Sequence, residues 1–237
     1  MHQTTSGQQP DPIDTTGDVR EALSAYRVLP VVVTDDPHIA QPLAEALLAG
    51  GLPLLEITLR TPNALQVLAA LRDAPGVSVG AGSVLNAQEA EAAIATGARF
   101  LVTPGYTRTV NDTARQAGIP VIAGVATATE MMRALDDGHD LVKYFPAGAG
   151  GPSALKALAA PLRGLRFVPT GGITAQSAAQ WLQLESVVAV GGSWMVTPQL
   201  LSERSFSTVT ELARGAVALA AQARTPGQPP VGTGSSR

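Results

Sequence analysis

Apolar residues along this chain fall into short runs that alternate with longer segments of helical spacing. Runs rich in Val, Ile and Leu stand at 28–33, 54–59, 77–80, 100–103, 120–123, 141–145, 166–169 and 187–190, each of a length suited to a buried strand. Each is followed by an Ala- and Leu-rich segment whose apolar positions recur at helical intervals: 37–49, 62–73, 87–96, 107–117, 129–137, 153–160, 175–184 and 208–221. One further short helix is predicted ahead of the first run, at 19–26. The punctuation agrees with these limits. Gly50, Gly97, Gly118 and Gly138 follow predicted helix ends, where glycine readily takes the left-handed conformation that closes a helix. Asn86, Thr127 and Thr174 stand where a side-chain oxygen caps a helix N-terminus.

Strands that alternate with helices require a parallel sheet. Eight strand–helix units in one stretch, 18–223, match the count of a closed (β/α)8 barrel, here a TIM barrel with an extra N-terminal helix. An open doubly wound sheet is the alternative. It usually has fewer units and a Gly-rich fingerprint after its first strand, but here that strand runs into Thr34-Asp35-Asp36-Pro37-His38. Residues 1–17 and 224–237 are rich in Thr, Gln, Pro, Gly and Ser, and both are predicted to be disordered tails outside the barrel.

Composition narrows the function. The chain has 237 residues, is 45% hydrophobic and only 4% aromatic, in keeping with a barrel interior of aliphatic layers. With no cysteine it has no disulfide framework, thiolate metal site or cysteine nucleophile. A net charge of -3 without any Lys/Arg run argues against nucleic acid and anionic membranes as partners. No apolar run approaches the roughly 18 residues of a membrane span, and the first residues lack the pattern of a signal peptide, so a cytoplasmic location is expected. The histidines His2, His38 and His139 show no ligand spacing. They are expected at the surface, and no metal is expected.

Polar residues inside apolar strands carry the chemical signal, because an unpaired charge in a dry barrel is costly. In the run 54–59 the two-residue period sends Leu55, Ile57 and Leu59 toward the helices, and Glu56, Thr58 and Arg60 toward the interior and mouth. Glu56 and Arg60 are opposite charges on one face, able to pair directly or through a ligand. A pair that merely fixes packing is the plainer reading, but isolated buried pairs stabilise little, and a buried carboxylate beside a ligand is a natural proton carrier.

The chain has only two lysines, Lys143 and Lys156. Lys156 sits in a helical segment, where a surface lysine is ordinary. Lys143 shares a strand face with Leu141 and Phe145. A lysine there either snorkels to the strand end or is buried, where desolvation favours the neutral, nucleophilic amine used in Schiff-base chemistry. Two strand ends carry paired glycines, Gly171-Gly172 and Gly191-Gly192, the second followed by Ser193 and Trp194. They serve as tight turns or, with Ser193, as a phosphate cradle beside a helix N-terminus. Gly80-Ala81-Gly82-Ser83 and Thr103-Pro104-Gly105 also line the mouth. Their small side chains leave room for a ligand, and Ser83 and Thr103 can donate to a carboxylate.

Together these segments resemble the bacterial 2-keto-3-deoxy-6-phosphogluconate/4-hydroxy-2-oxoglutarate (KDPG/KHG) aldolases. The resemblance spans about 21–221 and rests on Val28-Leu29-Pro30-Val31, Glu56-Ile57-Thr58-Leu59-Arg60-Thr61, Gly80-Ala81-Gly82-Ser83-Val84-Leu85-Asn86, Thr103-Pro104-Gly105, Val142-Lys143-Tyr144-Phe145-Pro146-Ala147, Pro169-Thr170-Gly171-Gly172-Ile173 and Gly191-Gly192-Ser193-Trp194. It implies a class I aldolase that cleaves a phosphorylated keto acid to pyruvate and glyceraldehyde 3-phosphate, with Lys143 as Schiff-base lysine and Glu56 as general acid/base. It also implies that Arg60 and Ser83 hold the pyruvoyl carboxylate, that Pro104, Phe145 and Thr170 line the pocket, and that Gly172, Gly192 and Ser193 take the phosphate. A homotrimer without metal or organic cofactor is implied as well. Family members often carry Thr in place of Ser83 and Phe in place of Tyr144, whose parity points it outward. The galactonate epimer as substrate, a sugar-phosphate isomerase or epimerase using Glu56 as base, and a non-catalytic phosphometabolite binder are the competing readings. The Glu, Lys and Arg set together speaks against the last.

Overall fold

The alternation read from the sequence is carried through the folded chain. The computed structural model describes residues 19–223, so the predicted tails lie outside the described residues. Eight strands follow one another as β1 (Val28–Val32), β2 (Leu54–Thr58), β3 (Ser78–Gly82), β4 (Phe100–Val102), β5 (Val121–Val125), β6 (Leu141–Tyr144), β7 (Arg166–Pro169) and β8 (Val190–Gly192). The helices are α1 (Val19–Tyr26), α2 (Ala40–Ala49, entered through a 3-10 turn at Pro37–Ile39), α3 (Ala64–Ala70), α4 (Ala87–Thr96), α5 (Arg108–Gln116), α6 (Ala128–Asp136), α7 (Ala147–Ala159), α8 (Ala175–Leu182), α9 (Pro198–Ser202) and α10 (Phe206–Gln222).

All strand pairings are parallel, in the order β7-β6-β5-β4-β3-β2-β1-β8. The seam between β7 and β8 is closed by single bridges, Phe167 to Val187 and Thr170 to Gly191. The fold is therefore the (β/α)8 barrel. In a ring of this order β2 and β6 stand opposite each other, four places apart.

Strand alternation divides the core in two. Leu55, Ile57, Val79, Leu101, Val142 and Phe167 pack outward against the helices. Leu29, Leu54, Phe100, Ile122, Leu141, Val168 and Ala189 pack inward and form one cluster with Val19 and Leu23 of α1. Leu54, Phe100 and Leu141 are the first residues of their strands, so α1 closes the barrel at its N-terminal end. Arg27 holds this plug in place: its guanidinium donates to the carbonyls of Leu182 at 2.7 Å and Val188 at 3.4 Å.

The capping residues act as expected at most sites. Asn86 accepts from the Glu89 amide, and Thr127 and Thr174 form capping boxes with Glu130 and Ser177. Gly97, Gly118 and Gly138 take positive φ. Gly50 does not. Its φ is -82° and the neighbouring Gly51 turns left-handed. Gly50 is instead a contact site, where a Cβ would meet the Ala213 Cβ of α10 at 2.4 Å.

Three predicted strands are shifted. β3 runs on to Gly82, β5 runs on to Val125, and β8 lies at Val190–Gly192 rather than at 187–190. Glycine ordinarily weakens strands, but here each vacates space for a neighbour: the Phe100 ring occupies the Cβ position of Gly80 and the Thr170 hydroxyl that of Gly191. Helix α9 has no counterpart in the sequence reading; Thr197 caps it and Pro198 starts it. α7 begins at Ala147 rather than at 153 and is broken at Gly151 (φ 70°, ψ 178°) before Pro152 restarts it. His38 is exposed as expected, whereas His139 is half-buried, its ring edge-on to Tyr106.

Two predictions concern stability. Leu23 is fully buried in the plug, so Leu23→Ala is expected to lower the unfolding free energy by about 2–5 kcal/mol in urea titrations. Burial holds the His139 imidazole below its ordinary value of 6.5, more than offsetting the pull of Asp137 the other way. Above that pH both states are neutral at this residue and its effect is absent. As pH falls below it the unfolded chain binds a proton that the folded chain refuses, so stability drops. Unfolding measured from pH 8 to 5 should show this decline in the wild type and a weaker one in His139→Asn.

Candidate active site

The C-terminal ends of the strands bring the polar interior residues together. Glu56 is central in β2 and Lys143 is the third residue of β6. Both point into the barrel by the same parity as Leu54 and Leu141 beneath them. Their side chains meet across the lumen, with Lys143 Nζ donating to Glu56 Oε1 at 3.5 Å. The side chains are 7% and 1% exposed, respectively. The second oxygen, Oε2 of Glu56, is buried without a hydrogen-bond partner among the described residues. Buried acceptors are nearly always paired, so this atom marks a place for a water or a substrate hydroxyl. Lys143 Nζ also lies 5.3 Å from the centroid of the Phe145 ring, within cation–π range.

Glycines keep this pair in reach. A Cβ on Gly82 would stand 1.9 Å from Glu56 Oε1, and one on Gly124 would stand 2.3 Å from the carbonyl carbon of Pro104. Gly124 is paired in register with Lys143, so Pro104 and Gly105 fold directly over the strand beside the lysine. Thr103 fixes that loop, its hydroxyl accepting from the Gly124 amide at 3.0 Å. The space expected for a ligand at Gly82 is therefore filled by Glu56 itself, and Thr103 is committed first to the backbone. Thr58 is used the same way, donating to the Val32 carbonyl at 2.9 Å.

Other candidates ring the pair. Ser83 follows β3 with φ 58°, an uncommon conformation for a residue with a side chain and one that recurs at functional sites. Thr170 is buried at the end of β7 and its hydroxyl donates to the Val168 carbonyl at 3.3 Å. Pro104 and Phe145 are half-buried at the mouth. Arg60 stands exposed just beyond β2. Among the described residues it forms no ion pair with Glu56, whose partner is Lys143 instead. The reason is topological: Glu56 points across the barrel, and Arg60 lies above it past the strand end.

The paired glycines gather at one side of the mouth. Gly171 and Gly172 take φ 92° and 78° and lead into α8, while Gly192 and exposed Ser193 end β8. Gly148 at the start of α7 joins them. Its amide donates to the Gly171 carbonyl at 2.8 Å, and a Cβ there would lie 3.5 Å from Gly172 Cα. Gly148 has no role in the sequence reading; the alternation of small residues in Ala147-Gly148-Ala149-Gly150-Gly151 is the signal that could have marked it. Trp194 also went unassigned, and its indole lies against Gly192. Lys156 is exposed, as expected.

The family model for "Aldolase: KDPG and KHG aldolase" matches residues 19–212. The chain belongs to the KDPG and KHG aldolase family. The 2-dehydro-3-deoxy-phosphogluconate aldolase of Treponema pallidum is 44% identical over 196 residues, covering 82% of this chain and 93% of that protein. Among solved structures, the 2-keto-3-deoxy-6-phosphogluconate aldolase of Zymomonas mobilis with 3-phosphoglycerate is 42% identical, with a TM-score of 0.81 over 85% of this chain and 96% of that one. The KDPG aldolase of Legionella pneumophila, with pyruvate captured as a covalent carbinolamine, is 39% identical at a TM-score of 0.81 over 84% of this chain and 98% of that one. In a KDPG and KHG aldolase a buried lysine that faces a carboxylate with a vacant acceptor has the parts for carbonyl chemistry.

Because Gly82 gives its Cβ space to the Glu56 carboxylate, Gly82→Ala must displace that flexible group. Such a displacement is expected to lower kcat by about 100-fold with little change in thermal stability, as steady-state kinetics and a melting curve on the same sample would show.

Proposed function

We propose that this protein is a class I aldolase that cleaves 2-keto-3-deoxy-6-phosphogluconate to pyruvate and glyceraldehyde 3-phosphate. The single observation that carries the reading is the buried Lys143–Glu56 pair across the barrel, with Glu56 Oε2 unpartnered. Membership of the KDPG and KHG aldolase family supports it. The phosphate-free 4-hydroxy-2-oxoglutarate is a second substrate of the same reaction type, giving pyruvate and glyoxylate.

The chemistry follows from the two groups. The proton shared by the Lys143–Glu56 pair passes to the carboxylate, the freed amine adds to the C2 ketone, and Glu56 returns that proton to the carbinolamine hydroxyl, which leaves as water from a protonated imine. Glu56 takes the proton of the C4 hydroxyl. The C3–C4 bonding electrons flow into the imine as the aldehyde forms and leaves. The remaining enamine takes a proton at C3 from Glu56, and water then hydrolyses the imine to release pyruvate and restore the amine. The proton that Glu56 accepts is the one it returns, and the water lost on imine formation is balanced by the water used in hydrolysis.

Arg60 and Ser83 bind the substrate carboxylate, Pro104, Phe145 and Thr170 bound the reacting carbons, and Gly172, Gly192 and Ser193 receive the phosphate. The helix N-terminus of α8 adds favourable potential for an anion. The reaction calls for neither metal nor organic cofactor. A homotrimer in the cytoplasm is what membership of the family implies.

Purified protein should release pyruvate from 2-keto-3-deoxy-6-phosphogluconate, with a lower kcat/KM for the galactonate epimer and for 4-hydroxy-2-oxoglutarate. Glu56→Gln should lower kcat by about 100- to 10,000-fold. Full activity in that variant, or in Lys143→Ala, would refute the assignment.

A further inference from the structure

The turn that ends β8 carries an aromatic ring with no part in the chemistry above. Trp194 is half-buried and packs on the outer core. A Cβ on Gly192 would stand 1.9 Å from its Cζ3 and 2.3 Å from its Cε3, so the benzo edge of the indole lies directly on the Gly192 backbone. The preceding glycine is held from another side: a Cβ on Gly191 would stand 2.3 Å from Thr170 Oγ1, and Thr170 bridges to Gly191. The turn then folds back through the Val196 amide, which donates to the Ser193 carbonyl at 3.0 Å. Two glycines in succession, paired in β8 with Leu29 and Pro30 of β1, are thus also covered by side chains, one by a β7 threonine and one by the turn's own tryptophan.

Such clamping matters for an anion site built from backbone amides. Amides hold an oxyanion well only when they are already oriented, and glycine has more freedom to lose than any other residue. An indole has few torsions of its own, so it fixes a backbone at little entropic cost. We propose that Trp194 is the positioning residue for the phosphate end of the substrate. Its ring holds the Gly192–Ser193 backbone in the orientation that receives the phosphate and so sets the preference for phosphorylated over unphosphorylated keto acids. The inference rests on the aldolase reading above, and it places Trp194 away from Lys143 and Glu56, which lie on β6 and β2.

The test compares two substrates. In Trp194→Ala the KM for 2-keto-3-deoxy-6-phosphogluconate should rise about tenfold while kcat stays near the wild-type value, the loss being one of preorganisation. The KM for 4-hydroxy-2-oxoglutarate should stay within about twofold. Trp194→Phe, which keeps a ring, should recover most of the phosphorylated-substrate KM. A second measurement leaves the indole in place. The chain has two tryptophans, and in Trp181→Phe the remaining emission reports Trp194 alone; it should change saturably as inorganic phosphate is added. Equal KM changes for both substrates, no change for either, or an emission unaffected by phosphate would overturn the proposal. Should the wild type cleave neither substrate, the aldolase reading fails, and the phosphate titration still decides the role of Trp194.

Discussion

A lysine and a glutamate that share the dry interior of the barrel set the terms for everything around them. Removing two charges from water costs several kcal/mol per ion, and mutual attraction restores that only with good geometry. At 3.5 Å, with one carboxylate oxygen unpartnered, the Lys143–Glu56 contact is a poor device for stability. It is a good one for holding reactive groups in place. The inward glycines at 82 and 124 follow from it, since larger residues would push Glu56 or the Pro104 loop out of position. The apolar layer below and the α1 plug keep water away from one end, leaving the strand C-termini as the route in.

Much of this was legible because a barrel has a simple grammar. Alternating strands and helices give the parallel sheet, and the two-residue period places Glu56 and Lys143 inward and Tyr144 outward. Tyr144 does pack outside, 6.3 Å from the Trp181 ring. With only two lysines and one of them in an apolar strand, the candidate nucleophile stands out in the sequence itself. The pairing was harder to see. Charges on one strand suggested Glu56 with Arg60, but a strand's neighbours across the lumen lie nearly ninety positions away in the chain, and Glu56 pairs with Lys143 at a separation of 87 residues.

Glycine misled for a related reason. Read locally, Gly80, Gly82, Gly191 and Gly192 end strands and leave space. In the fold Gly80 and Gly191 lie inside strands while Gly82 and Gly192 do end them, and the space belongs to Phe100, Glu56, Thr170 and Trp194. Local propensity cannot show which neighbour claims a vacated position. The half-burial of His139 against Tyr106 and the break in α7 at Gly151 were hidden in the same way. In the proposed function the mouth therefore has two ends of different character: a carbonyl end built on charged side chains, and a phosphate end built on backbone.

The central claim is that Lys143 becomes covalently bonded to the substrate carbonyl, and chemical trapping tests it most directly. Incubation with pyruvate and borohydride, followed by peptide mass spectrometry, should inactivate the enzyme and place one reduced pyruvoyl adduct on the peptide containing Lys143. Lys143→Ala should take up none. Adduct formation at Lys156, or trapping of Lys143→Ala to the wild-type extent, would contradict the account.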